Sequence, residues 1–235
     1  MLFKTTIVFA ALIAFQGASS YPQNAEEVRG LIANFRDASN EAMHEGGEKL
    51  KPLVENIEES SKTAEEKAQG IIEESIKIAK DEVDLKEQEA IKEGVNASEC
   101  VKAANGELAT LLVRLTDEVK NCGSNARHES TGLVFEVLDT SGSEAYYRRE
   151  DYYHKMDACI DKESVPCLVD LKAIIAEDTE LYPKELVERF DVTANSLGNI
   201  EDDMNECIAH TEDAVSVQCE EYLREFNECI ETNKN

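Results

Sequence analysis

Residues 197–230 read LGNIEDDMNECIAHTEDAVSVQCEEYLREFNECI. In this stretch Leu197, Ile200, Met204, Cys207, Ile208, Val215, Cys219, Tyr222, Phe226, Cys229 and Ile230 recur mostly at intervals of three and four. That spacing puts them on one face of an α-helix. The stripe lasts about nine turns at ~3.6 residues per turn, so a single long helix is predicted here.

Upstream, Cys100, Val101, Ala104, Leu108, Leu111, Leu112, Leu115, Val119 and Cys122 make another strong amphipathic helix, ended by Gly123. A shorter segment follows over 127–138, and Thr140-Ser141-Gly142 is expected to break it. Ser141 with Glu144 three residues later has the form of a capping box for a helix over 143–160. Ser164-Val165-Pro166 restarts a helix carrying Leu168, Leu171, Ile174 and Ile175, and Tyr182-Pro183 is read as a further turn.

The region before these helices differs in composition. From Ala25 to Glu93 there are 19 acidic and 10 basic residues, no Cys and one aromatic, Phe35. Val28, Leu31, Ile32 and Phe35 match Leu50, Leu53, Val54 and Ile57 at an offset of 22. Between them an 11-residue register is kept by small residues such as Ser39, Ala42, Gly46, Ala64 and Ala68. An 11-residue repeat favours straight or slightly right-handed packing. Gly46-Gly47 and Lys51-Pro52 predict a break between one helix over 25–45 and a longer one over 52–93. The expected fold class is all-α: long amphipathic N-terminal helices, then a disulfide-stapled helical bundle. The expected division is 1–20, 21–95 as an acidic helical arm, and 96–235 as a cysteine-containing domain.

The first twenty residues set the expected compartment. Lys4 precedes an apolar run from Ile7 to Phe15, and Gly17, Ala18, Ser19 and Ser20 follow. These are the three parts of a secretory signal peptide, with cleavage expected after Ser20. Asn96-Ala97-Ser98 then reads as a glycosylation sequon at Asn96. A formal charge of −26, from 50 acidic and 24 basic residues in 235, argues against nucleic acid and acidic membranes as partners. No later segment is apolar enough to span a bilayer.

In such a chain the seven cysteines are expected to form disulfides, since close zinc-ligand spacings are missing. Cys100 and Cys122 lie 22 residues apart on one predicted helix. That is ~33 Å, so they cannot bond to each other. Cys207 and Cys229 share the same spacing. Two antiparallel helices would therefore be riveted at both ends by Cys100 to Cys229 and Cys122 to Cys207. A parallel pair would swap these two bridges. Cys159 to Cys167 would staple the turn between them, leaving Cys219 as a buried thiol or an intermolecular bridge.

Catalytic patterns are missing: there is no G-x-S-x-G, G-x-x-x-x-G-K, H-E-x-x-H or EF-hand loop. Asp139-Thr140-Ser141-Gly142 breaks the order of the aspartic-protease turn, and His44, His128, His154 and His210 are dispersed. Neither an enzyme activity, a cofactor nor a metal is expected. One patch has the composition of a binding hot spot: Tyr146, Tyr147 and Arg149, then Tyr152 and Tyr153. The alternative is that Tyr146, Arg149, Tyr153 and Met156, at helical spacing, face the core or its rim.

The helix bearing Cys207, Cys219 and Cys229, with the earlier helices bearing Cys122, Cys159 and Cys167, resembles the secreted insect proteins with the tsetse midgut EP-type domain, over about 96–230. The resemblance implies a secreted helical protein of gut or body fluid without an established enzyme activity. The Glu-Pro tail of that family's founding member is absent here. The 22-residue periodicity of 25–93 instead looks like exchangeable apolipoproteins or apolipophorin. The expected function is a secreted, non-enzymatic interaction or structural protein acting through a helical surface on an extracellular protein. The alternative is a carrier of lipid or a small apolar ligand, and a homodimer is left open.

Overall fold

The computed structural model describes residues 21–234. The expected signal peptide falls on residues 1–20 and so lies outside the described residues. Among the described residues the chain forms three α-helices and no strand: α1 (Tyr21–Lys92), α2 (Ser98–Asp161) and α3 (Val165–Asn233). The protein is thus an all-α, disulfide-stapled bundle.

The 11-residue register runs through every helix. Along α1, Val28, Ser39, Leu50, Ser61, Ile72 and Val83 are all buried, and so are Phe35, Gly46, Ile57, Ala68, Ala79 and Ala90. On α2 the same step links Leu108, Val119, Ser130, Ser141 and Tyr152. On α3 it links Leu171, Tyr182, Thr193, Met204, Val215 and Phe226, and in parallel Ile175, Leu186, Leu197, Ile208, Cys219 and Ile230. Eleven residues complete three turns plus about 20°, so one stripe stays on the inner face for the length of a long helix.

Several expected breaks are corrected. One helix, α1, replaces the two expected over 25–45 and 52–93, and it contains Pro52. Gly123, Thr140-Ser141-Gly142 and Pro183 likewise lie inside helices. The glycines serve packing: a Cβ on Gly46 would overlap the ring of Phe190, and one on Gly123 would overlap the Glu65 carboxylate. Ser141 is no cap, since it is fully buried in mid-helix. A helix-interior proline costs ~3 kcal/mol. Leu50 and Ile57 around Pro52, and Tyr182 and Leu186 around Pro183, are almost wholly buried. At about 1.5–3 kcal/mol for each large apolar side chain, that burial offsets the loss.

The true helix ends carry their own signals. Gly94 sits at φ 78° after α1, with Val95 N–H donating to Ala90 C=O at 2.9 Å and Gly94 N–H to Ile91 C=O at 3.0 Å. This is a Schellman cap. The end of α2 repeats it with Glu163 at φ 49°: Ser164 N–H donates to Cys159 C=O at 3.0 Å and Glu163 N–H to Ile160 C=O at 2.9 Å. Ser164 then caps α3, its Oγ accepting from Cys167 N–H at 3.4 Å.

Two compact units divide the chain, and they do not follow the compositional boundary expected near residue 95. Among the described residues, the first comprises 21–50 with Val134–Thr193, and the second comprises Lys51–Leu133 with 194–234. Cysteine content marks a change of composition, whereas each unit takes a segment of all three helices. The expected N-terminal arm is therefore one helix of the bundle in each unit.

In the first unit, Phe35 of α1 meets Tyr152 of α2 edge-on at 5.3 Å between centroids and Tyr182 of α3 at 5.6 Å. Tyr152 donates to Asp178, and Tyr182 donates to the Ser141 carbonyl at 3.0 Å. Arg189 reaches Ser141 Oγ at 3.3 Å and Glu144 at 2.9 Å. Arg148 lies 4.4 Å over the Tyr182 ring. The Cys159–Cys167 disulfide, with Cα atoms 5.5 Å apart, ties the end of α2 to the start of α3.

In the second unit, Cys100–Cys229 and Cys122–Cys207 join α2 to α3 with Cα separations of 5.8 and 5.9 Å. Early positions of α2 meet late positions of α3, so the pair is antiparallel, and these are the bridges that the antiparallel case required. Arg127 of α2 binds Ser61 and Glu65 of α1 at 2.7 and 2.5 Å in a mostly buried contact. Cys219 is unpaired and buried, its Sγ 4.0 Å from the Ser75 carbonyl, and burial pushes its thiol pKa up. A protonated, enclosed thiol is a poor nucleophile.

Candidate functional site

The residues expected as a binding patch belong to the first unit and separate into two groups. Tyr152 is only 2% exposed and belongs to the aromatic core with Phe35, which corrects its assignment to the patch. Burial, followed by its bond to Asp178, holds its phenol well above the usual tyrosine range. The reason is register: Tyr152 falls on the buried 11-residue stripe of α2 with Ser141 and Ser130.

Tyr146 and Tyr147 are 51% and 70% exposed, and Tyr153 is 36% exposed. The rings of Tyr146 and Tyr147 meet edge-on at 5.5 Å. The Arg149 guanidinium lies 5.1 Å over the Tyr146 ring, a cation–π contact. Its neighbour Arg148 instead turns to α3, where it pairs with Glu185 at 3.3 Å.

Sequence reasoning missed Phe135, which is 71% exposed on the same helix. It precedes Tyr146 by eleven residues, so the repeat that orders the core also brings Phe135 and Tyr146 to one outer face about 16 Å apart. That offset was the available signal. Between them Leu138, Asp139, Gly142 and Ser143 join Tyr146 and Tyr147 around a surface hollow of about 340 Å³. The face combines large rings, an adjoining hollow and a stacked arginine, a composition enriched at protein interfaces.

The other expected positions lie elsewhere. Asn96 is exposed in the turn before α2, its Oδ1 accepting from Ser98 N–H at 3.1 Å and Ser98 Oγ at 2.8 Å. His44, His128, His154 and His210 are all exposed. Among the described residues no group of three or more His, Cys, Asp or Glu is placed to hold a metal ion, and no helix is long and apolar enough to cross a membrane. The chain matches no family model, no curated protein and no solved structure.

Proposed function

We propose that this protein is a secreted, non-enzymatic interaction protein of an extracellular fluid, and that it binds a protein partner through the outer face of α2 from Phe135 to Arg149. The observation that carries this reading is the exposure of three large rings, Phe135, Tyr146 and Tyr147, on one short length of helix. Exposing rings of that size forgoes the burial that the core gives to Phe35 and Tyr182, so a partner that covers them has apolar area to gain. Three disulfides support an extracellular setting, because such bonds persist in oxidising compartments. A glycan at Asn96 would extend from an exposed turn of the second unit. The resemblance to the tsetse midgut EP-type proteins points the same way. The carrier alternative needs apolar stripes free to take up lipid. Here those stripes are buried along each helix, and α2 and α3 are clamped twice in the second unit.

The test compares Phe135→Ser/Tyr147→Ser with a control, Val113→Ser/Val217→Ser, which removes exposed side chains from the second unit. Capture of partner from the source fluid falls at least tenfold in the first variant and stays unchanged in the control, with equal helicity in both. Equal capture by both variants contradicts the reading. Co-flotation with phospholipid vesicles would favour the carrier.

A further inference from the structure

Within the first unit an open groove of about 600 Å³ runs between α1 and α3. Its apolar lining comes from Ala38 and Ala42 of α1 and from Pro183 and Val187 of α3. Alanines one turn apart and a compact proline ring leave the boundary between the two helices unfilled along ~10 Å, about two turns. Val187 keeps 47% of its surface exposed there, although Phe35, Tyr182 and Phe190 of the same unit are almost wholly buried.

Charge sets the groove apart from the rest of that boundary. On one side of it Lys172 of α3 pairs with Glu27 of α1 at 2.6 Å, and on the other Lys49 of α1 pairs with Asp191 of α3. Each bridge answers an acid of one helix with a lysine of the other. Between them, Glu41 and Glu45 of α1 and Glu188 of α3 line the groove with one cation, Lys184. Among the described residues none of these four makes an ion pair. The groove therefore combines an apolar floor with a net negative edge.

We propose that this groove docks a short amphipathic helix of a partner protein, one with basic residues on both sides of its apolar face. The surface is separate from the outer face of α2 and stands whether or not that face binds a protein. An incoming helix would lie along α1 and α3 as a fourth member of the bundle, and the small side chains at 38 and 42 let its axis approach to the about 8–10 Å at which helices pack. Large apolar residues at i, i+4 and i+7 would cover Pro183 and Val187, while flanking lysines or arginines would meet Glu41, Glu45 and Glu188. A second copy suits the groove poorly. With 50 acidic against 24 basic residues, its helices would bring mostly carboxylates to carboxylates.

Methyl resonances of alanine and valine in the chain spanning 21–235 report the groove directly. The probe is a synthetic helical peptide of about three turns, with leucines at i, i+4 and i+7 and lysines beside them. It should move the Ala38, Ala42 and Val187 signals saturably, with half-saturation on the order of 10–100 μM, and leave Val113 and Val217 of the second unit still. Val187→Arg should raise half-saturation at least about fivefold, and Glu41→Gln/Glu45→Gln/Glu188→Gln about threefold or more, with helicity unchanged. Ile174→Arg, an equal charge change at another exposed position of α3, should leave it as it was. A peptide with glutamates for the lysines should not bind. No saturable movement at Ala38, Ala42 and Val187, or a drift shared with Val113 and Val217, overturns the proposal. So does equal binding by Val187→Arg and Ile174→Arg, or by a peptide with alanines for the leucines. Movement of the same signals on concentrating the chain alone would assign the groove to a second copy and overturn the basic partner.

Discussion

The ring of Phe190 on α3 fills the space that a side chain at Gly46 of α1 would need. Phe190 is almost wholly buried and has nowhere to retreat. Gly46→Ala should therefore destabilise the fold by about 1–3 kcal/mol through overpacking, despite the better helix propensity of Ala. At Gly30 a methyl group would meet no packed neighbour within 4 Å. Gly30→Ala should instead stabilise by about 0.5–1 kcal/mol, because only the propensity term remains. Urea unfolding of the two variants beside the wild type gives both signs in one experiment.

Glu163 occupies the left-handed position of a Schellman cap at φ 49°, where its counterpart after α1 is Gly94. A side chain there is strained by roughly 1 kcal/mol. Glu163→Gly should recover about that much and raise the thermal midpoint by about 2–4 °C. Gly94→Ala should move the midpoint the other way.

Burial raises the phenol pKa of both Tyr152 and Tyr182, since each ring lies in the core of the first unit, away from water. An unfolded phenol releases its proton near pH 10.0, and these folded phenols release theirs only above it. The stability they contribute is therefore complete below about pH 10 and falls as the pH rises towards their folded values, because the unfolded state loses protons first. Tyrosinate absorbance should show a late step that coincides with loss of helicity. In Tyr152→Phe that step should shrink by one phenol, and the fold should tolerate alkali better than the wild type.

The disulfides should differ in weight. Cys122–Cys207 closes a separation of 85 residues and Cys159–Cys167 one of 8. Loop-closure entropy gives about 4–5 kcal/mol for the first and about 2–3 kcal/mol for the second. Cys122→Ala/Cys207→Ala should lower the thermal midpoint more than Cys159→Ala/Cys167→Ala, as calorimetry of the two variants would show.

Much of this architecture is legible in the sequence, and the exceptions share a cause. The apolar stripe of 197–230 and the matched spacing of Cys100, Cys122, Cys207 and Cys229 are properties of helices alone, so they lead to α3 and to its bridges with α2. The breaks expected at Gly46, Gly123 and Pro183 rest on local propensity, and distant partners override it: Phe190 for Gly46, Glu65 for Gly123, and the buried Tyr182 and Leu186 around Pro183. The patch was half legible. Residue types single out Tyr146, Tyr147 and Arg149, but only the register of α2 turns Tyr152 inward and brings Phe135 onto the outer face.

Contact between this outer face of α2 and a protein partner is tested most directly by a photo-crosslinking side chain placed at position 147 of the chain spanning 21–235, in an extract of the expressing tissue together with the fluid around it. Position 113, which is similarly exposed in the second unit, carries the same group as a control. A discrete crosslinked species from position 147, absent from position 113 and lost on Phe135→Ser, is the predicted result. No discrete species from position 147, or the same species from both positions, would contradict the account.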